Sequence, residues 1–345
     1  MWKSLAIASA LLAQDAFAQN MLRFGCSQLV IERTDPIVNP GMNPSAHTHQ
    51  VVGGNSFNIT MDPSNLDPPK ASTCTSCTYA EDFSNYWTAS MYFKSPENGS
   101  YRLVPQMANF RYPGSSEKLQ QDGGITVYYM QPFGGGSSKT TSFKPGFRMI
   151  AGNPSLRSKS GTSPGICHRC NGNGEGGAPC DGRDTSNFPP KVCPGGIRAT
   201  VIFPTCWDGK NLDSADHRSH IAYSPGTGSL AGASCPSTHP VRVPQVMYEI
   251  MWDTRPFNDP KYFQGGKQPF VYSFGDGTGH GQHGDYLFGW KNDALQRGMD
   301  ALGKGGCNLD VCSSALKIQT GPEAIACTKK TQVQETVGRS GECKT

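Results

Sequence analysis

Thirteen cysteines, from Cys26 to Cys343, constrain this 345-residue chain more than any other feature. Cysteines in such number persist as disulfides in an oxidising compartment. The start of the chain points the same way. Met1-Trp2-Lys3 is a short basic opening, Leu5 to Leu12 an apolar run, and Ala16-Phe17-Ala18 an A-x-A cleavage site. Residues 1–18 are therefore expected to be a signal peptide, with the mature chain starting at Gln19. The apolar run falls short of the roughly 20 residues that span a bilayer, so a membrane partner is not expected. The expected product is secreted and extracellular. The odd cysteine count leaves one residue free or bonded to another chain. Asn58 and Asn98 each open an N-x-S/T sequon, as expected of a glycoprotein.

A disulfide framework still needs a fold to staple. The 41 glycines and 26 prolines make up about a fifth of the chain, and only 17% of residues are charged, a balance that favours strands and loops over a helical bundle. Strands are expected at Leu22–Ile31, Gln50–Val52, Ile125–Met130, Phe147–Gly152, Ala199–Phe203, Val241–Trp252 and Phe270–Phe274, from their β-branched and aromatic content. Pro244 marks the sixth of these as an edge or bulged strand. The best helix is Asp293–Leu302, with Leu295, Met299 and Leu302 on one face. The expected fold is mainly β: a single sandwich or jelly-roll-like domain over residues 19–307, with long disulfide-tied loops and few helices. Residues 153–196 read as a cysteine-rich excursion without a core, and 308–345 as a polar, cysteine-containing appendage. A net charge of +4, without a basic run interleaved with aromatics, argues against nucleic acid as a partner. The C-x-x-C pairs Cys74/Cys77 and Cys167/Cys170 are read as disulfide cysteines, since neither opens a helix after a strand.

Six of the eight histidines fall in three short clusters: His47 and His49; His217 and His220; His280 and His283. On extended chain His47 and His49 face the same way, the simplest metal-ligand pair a strand offers. His47, His49 and His283 are the candidate metal ligands, for a divalent ion such as zinc, copper or manganese. Histidine also suits acid–base work near neutral pH, which makes His217, His220 and His283 candidate acids or bases. Arg148, flanked by apolar residues, is expected either to pair with a buried carboxylate or to meet an anionic ligand. Asp216, Asp276 and Asp285 are the candidate carboxylates. Tyr86 and Trp87, with Tyr92, read as a sugar-stacking platform or as sheet core. Trp207 and Asp276 complete the expected substrate-binding set. The competing reading is that Asp and His merely knit long loops together by hydrogen bonds.

Several stretches together resemble a known family. They are DPIVNPG and HTHQVVGG, CTSC followed by EDFSNYW, GFRMIAG, FPTCWDGKNLDSADHRSHIAY, CPSTHPVRVPQV and GDGTGHGQHGDYLFGW, in this order between about residues 26 and 307. This set resembles the secreted fungal-type family DUF1996, a domain of unknown function. The resemblance implies a secreted protein of cell-wall-rich organisms and supplies no reaction. The expected function is a carbohydrate-active enzyme, lyase- or hydrolase-like, acting on extracellular or cell-wall polysaccharide through a His/Asp/Arg cleft. A lyase would abstract the proton beside a uronate carboxylate while a cation holds that carboxylate. A hydrolase would use two carboxylates. The alternative is a non-catalytic metal- or carbohydrate-binding protein. A copper monooxygenase with an N-terminal histidine is disfavoured, because the mature chain would begin with Gln19.

Overall fold

The computed structural model describes residues 21–337, apart from 109–122, 132–139, 162–163, 173–176, 226–231, 233, 303, 305–306, 309–310 and 336. The expected signal peptide, Gln19 and Cys343 lie outside the described residues.

Ten strands build two five-stranded antiparallel sheets. In chain order they are β1 (Met21–Cys26), β2 (Val30–Glu32), β3 (His49–Gly53), β4 (Asn85–Ala89), β5 (Ile125–Met130), β6 (Arg148–Gly152), β7 (Ile166–Cys170), β8 (Ile197–Ile202), β9 (Gln245–Trp252) and β10 (His283–Leu287). The first sheet runs β1-β5-β9-β8-β7 and the second β2-β3-β4-β10-β6. Side chains alternate across each strand, so every strand offers one set to the space between the sheets. Phe24, Val127, Tyr248 and Val201 from the first sheet share one buried core with Val52, Tyr86, Met149 and Tyr286 from the second. The sheets approach closely at Gly284, where an added Cβ would lie 3.1–3.2 Å from Tyr248, Val201 and Phe203. The expectation of a mainly-β sandwich with long loops and few helices holds.

Three local expectations change. The strand expected over Leu22–Ile31 divides into β1 and β2, which belong to different sheets. Pro244 does not mark an edge: β9 lies centrally, between β5 and β8. The proline instead separates β9 from Val241–Arg242, a short strand of another sheet, so its missing N–H falls outside the β9 ladder. The cysteine-rich excursion supplies β7, the edge strand of the first sheet. Arg169 on it is buried and holds Asp184 at 2.5 Å and Asp181 at 2.8 Å. The expected helix forms at Ala294–Ala301 and buries Leu295 and Met299.

Among the described residues six disulfides are present: Cys26–Cys77, Cys74–Cys327, Cys167–Cys180, Cys170–Cys193, Cys206–Cys235 and Cys307–Cys312. Both C-x-x-C pairs are thus bonded elsewhere rather than internally. Cys74–Cys327 draws the C-terminal segment onto the second sheet, where Glu32 accepts from the Gln332 N–H at 2.7 Å. Residues 311–335 are therefore packed structure and not the expected appendage. Among the described residues no helix is long and apolar enough to cross a membrane.

Candidate metal centre and its surroundings

The site forms on the face of the second sheet that points away from the first. His49 opens β3 opposite Ala89 of β4. On the other side of β4, Gly284 pairs with Thr88, so His283 falls one step on, beside Ala89, and it pairs with Gly152 of β6. One cross-strand row therefore reads His49, Ala89, His283, Gly152. Cross-strand neighbours share a face, and the two small residues leave room for both imidazoles. His47, two residues before His49, joins them with ring centroids 4.2 Å from His49 and 5.1 Å from His283. Phe274 covers the group, 5.2 Å from His47 and 5.0 Å from His283.

The hydrogen bonds fix which ring nitrogens remain. His49 Nδ1 lies 3.1 Å from the Thr34 carbonyl, and His283 Nδ1 lies 3.0 Å from the Gly281 carbonyl. A carbonyl only accepts, so both Nδ1 atoms carry the proton and both Nε2 atoms present lone pairs. His283 Nε2 faces His47 Nε2 at 3.1 Å. His49 Nε2 is buried with no protein partner. One ring nitrogen from each of the three histidines lies within 4.8 Å of the other two. Tetrahedral nitrogen ligands on zinc, at about 2.0–2.1 Å from the ion, stand roughly 3.3 Å apart. The His47–His283 separation of 3.1 Å fits that spacing, and the other pairs lie within 4.8 Å.

The electrostatics keep the imidazoles neutral. Burial, and then the other histidines, lower His49 to about 3 and push His47 down further. Burial also lowers His283. Two buried carboxylates stand nearby. Burial raises Asp35, although its Oδ1 accepts from the N–H groups of Ile37 and Val38. Asp285, on the same face of β10 as His283, is raised well above the carboxylate range by burial and then by Asp35. Its Oδ2 has no protein partner. Arg218, half-buried, is lowered by burial and interacts favourably with Asp285.

A second cluster adjoins this one. Asp213 accepts from Arg148 Nε at 2.5 Å and from His217 Nδ1 at 2.7 Å. Burial opposes its ionisation, and those two bonds more than offset it, leaving Asp213 below its usual range. The His217 carbonyl accepts from the Ile150 N–H at 3.1 Å, and Ile150 pairs with Asp285. His217 therefore sits at the edge of β6, in line with Asp285. Its backbone is left-handed, with φ at 55°, a conformation that costs a non-glycine residue of order 1 kcal/mol or more and is found at functional sites. Asp35 feels both His283 and His217, which ties the two clusters into one region.

The remaining candidates are placed differently. His220 is buried with both nitrogens engaged, to Ser214 Oγ and the Arg148 carbonyl, each at 2.9 Å. Asp216 caps its own turn, accepting from the N–H groups of Arg218 and Ser219. Asp276 is buried and takes the N–H groups of Thr278 and Gly281. Arg148 meets a carboxylate of the chain. These four hold loops. Tyr86 and Trp87 are 0% exposed and Trp207 is 3% exposed. None of the three can stack on a sugar; they are core, the other reading of Tyr86 and Trp87. Asn58 and Asn98 are exposed. Cys26, Cys77 and Asp82 also lie close together, but the two sulfurs are bonded to each other. Asp35, Asp213 and Arg218 went unnoticed in the sequence. Asp35 precedes a proline and resembles a turn residue, while Asp213 and Arg218 lie inside the D-x-x-D-H-R-S-H segment beside the histidines that drew attention.

Searches of curated proteins and of solved structures return no match. A family model, described as a domain of unknown function, matches residues 35–290. That span begins at Asp35 and contains every residue of both clusters. The chain belongs to the DUF1996 family.

Proposed function

We propose that this chain is a secreted metal-dependent enzyme acting on an extracellular polysaccharide, with its ion held by His47, His49 and His283. One observation carries the reading: three buried neutral imidazoles converge, and the His49 Nε2 lone pair has no protein donor. A buried acceptor left without a partner costs about 1–3 kcal/mol, and a metal ion would satisfy it. The carbonyls of Thr34 and Gly281 orient two of the rings from behind, as the outer partners of metal-bound histidines do. Three protein ligands leave a position for substrate or water.

The surrounding groups fit proton abstraction beside a uronate carboxylate. The ion and Arg218 would hold the carboxylate and stabilise the charge that develops on it. His217, its Nδ1–H held by Asp213, would take the C5 proton on Nε2. The C5–H electrons then form the C4=C5 double bond as the C4–O bond breaks, and the departing oxygen receives a proton from water. His220, with both ring nitrogens hydrogen-bonded, and Arg148, paired with Asp213, are given no role in this step. Oligogalacturonate and other polyuronides incubated with metal-loaded protein are expected to yield an ultraviolet-absorbing unsaturated product. Chelated protein and His217→Ala are expected to yield none. New reducing ends without the absorbance would replace elimination by hydrolysis. No product from any polyuronide would end the enzyme reading and leave the non-catalytic metal-binding alternative.

A further inference from the structure

Beside the histidines lies a cleft of about 770 Å³, bounded by the segments around Lys94, Arg157, Phe188, Tyr262 and Thr278. Its charge is one-sided. Lys94, Arg157 and Lys267 line it, all exposed, and none of the described lining residues is an aspartate or glutamate. Glu97, just outside, is paired with Lys261 at 3.0 Å. Asp276 lies behind the wall, fully buried, with its Oδ1 3.8 Å from Arg157 Nε. The cleft also has aromatic walls: the half-buried rings of Tyr101 and Tyr262 line it, the first with the Lys94 ammonium 5.7 Å from its centre. Flat rings beside fixed cations suit a sugar ring bearing an anionic group: the ring faces cover its C–H surface, and the cations meet the anion.

The cleft adjoins the metal centre, with the Phe274 ring between them. The Arg157 guanidinium sits 5.5 Å over the Phe274 ring, and the same ring contacts His47 and His283. Thr278 and His280 line the cleft, and the Gly281 carbonyl that follows them orients His283.

We infer that this cleft binds a chain of acidic sugars, through Lys94, Arg157 and Lys267 with Tyr101 and Tyr262, and leads it to the histidines. The inference deepens the function proposed above and rests on it for the direction of the chain, but the binding itself needs no metal. Titration calorimetry with hexagalacturonate, a sulfated hexasaccharide and neutral cellohexaose tests it on the full chain. Hexagalacturonate is expected to bind, and Lys94→Gln with Lys267→Gln together to weaken it at least tenfold. Both are exposed side chains whose loss leaves the fold intact. Lys330→Gln, an exposed lysine on the C-terminal segment, is expected to change nothing, and cellohexaose to bind at least tenfold more weakly. A sulfated chain that binds where hexagalacturonate does not would assign sulfate as the anion and keep the site. Binding unchanged in the double lysine variant, equal binding of cellohexaose, or no binding of either acidic chain would overturn the inference. Binding without turnover in the metal-loaded protein would sink the proposed reaction and leave this site standing.

Discussion

The two faces of the second sheet carry two buried polar clusters built on the same strands, and they end differently. On the inner face, Tyr86 OH donates to Asp82 at 2.6 Å, and Tyr129 OH lies 2.8 Å from Tyr86 OH and 2.9 Å from Tyr286 OH. Trp290 Nε1 donates to the same Tyr129 oxygen at 3.0 Å. Every hydroxyl in that chain has a protein partner. On the outer face, His49 Nε2 and Asp285 Oδ2 have none. Both clusters lie among aromatics, both are buried, and Tyr286 stands one residue from Asp285. A closed network spends its polarity on holding the sheets together. An open one holds lone pairs and a carboxyl group ready for something that is not protein. Partner satisfaction, more than burial or residue type, separates the tyrosine cluster from the proposed metal site.

That contrast can be broken most sharply at His283. Replacing it with alanine is expected to abolish stoichiometric metal binding and to cost about 1–3 kcal/mol in metal-free stability, because the Gly281 carbonyl loses its donor. A variant that fails to fold would place the histidines with the structural cluster instead. The next effect expected is on turnover. His217→Ala is expected to cut the rate by about 10²–10⁴, the usual worth of a general base, with metal content unchanged. Loss of metal in that variant would merge the two outer clusters into one ligand set. On the inner face, Tyr129→Phe removes the oxygen shared by Tyr86, Tyr286 and Trp290. It is expected to cost about 2 kcal/mol in chemical denaturation with full metal retention.

The smallest effect is a slope. Burial pushes Asp82 up to about 7 despite the hydrogen bonds it accepts from Tyr86 and Ser84. The folded chain thus holds this proton more tightly than the unfolded chain, whose carboxyl titrates near 3.9. Its contribution to stability is complete below about 4 and is lost as pH rises towards about 7. Asp82→Asn is expected to flatten the decline in stability over that window. An unchanged slope would mean that Asp82 is ionised in the folded state.

Much of the architecture was legible because its signals are local. Ile125–Met130 runs β-branched and aromatic without interruption, and the strand has those bounds. Pairing partners are long-range, so Leu22–Ile31 read as one strand and the C-terminal segment as an appendage until Cys74–Cys327 was visible. The metal candidates stood out because six of the eight histidines fall in three short clusters of a chain with few charged residues. Burial was not legible for Tyr86, Trp87 and Trp207, because an aromatic residue has the same sequence signature in a core and on a sugar platform. Asp213 was missed because its role depends on Arg148, 65 residues away. Arg218 was missed because two histidines flank it in a short segment and drew the attention.

The measurement that bears most directly on this account is elemental mass spectrometry of the purified chain after dialysis against zinc or copper and removal of free ion. One transition-metal ion per chain, absent from His283→Ala and retained by Tyr129→Phe, is the predicted result. A folded chain that takes up neither ion, or that binds one equally well without His283, would contradict it.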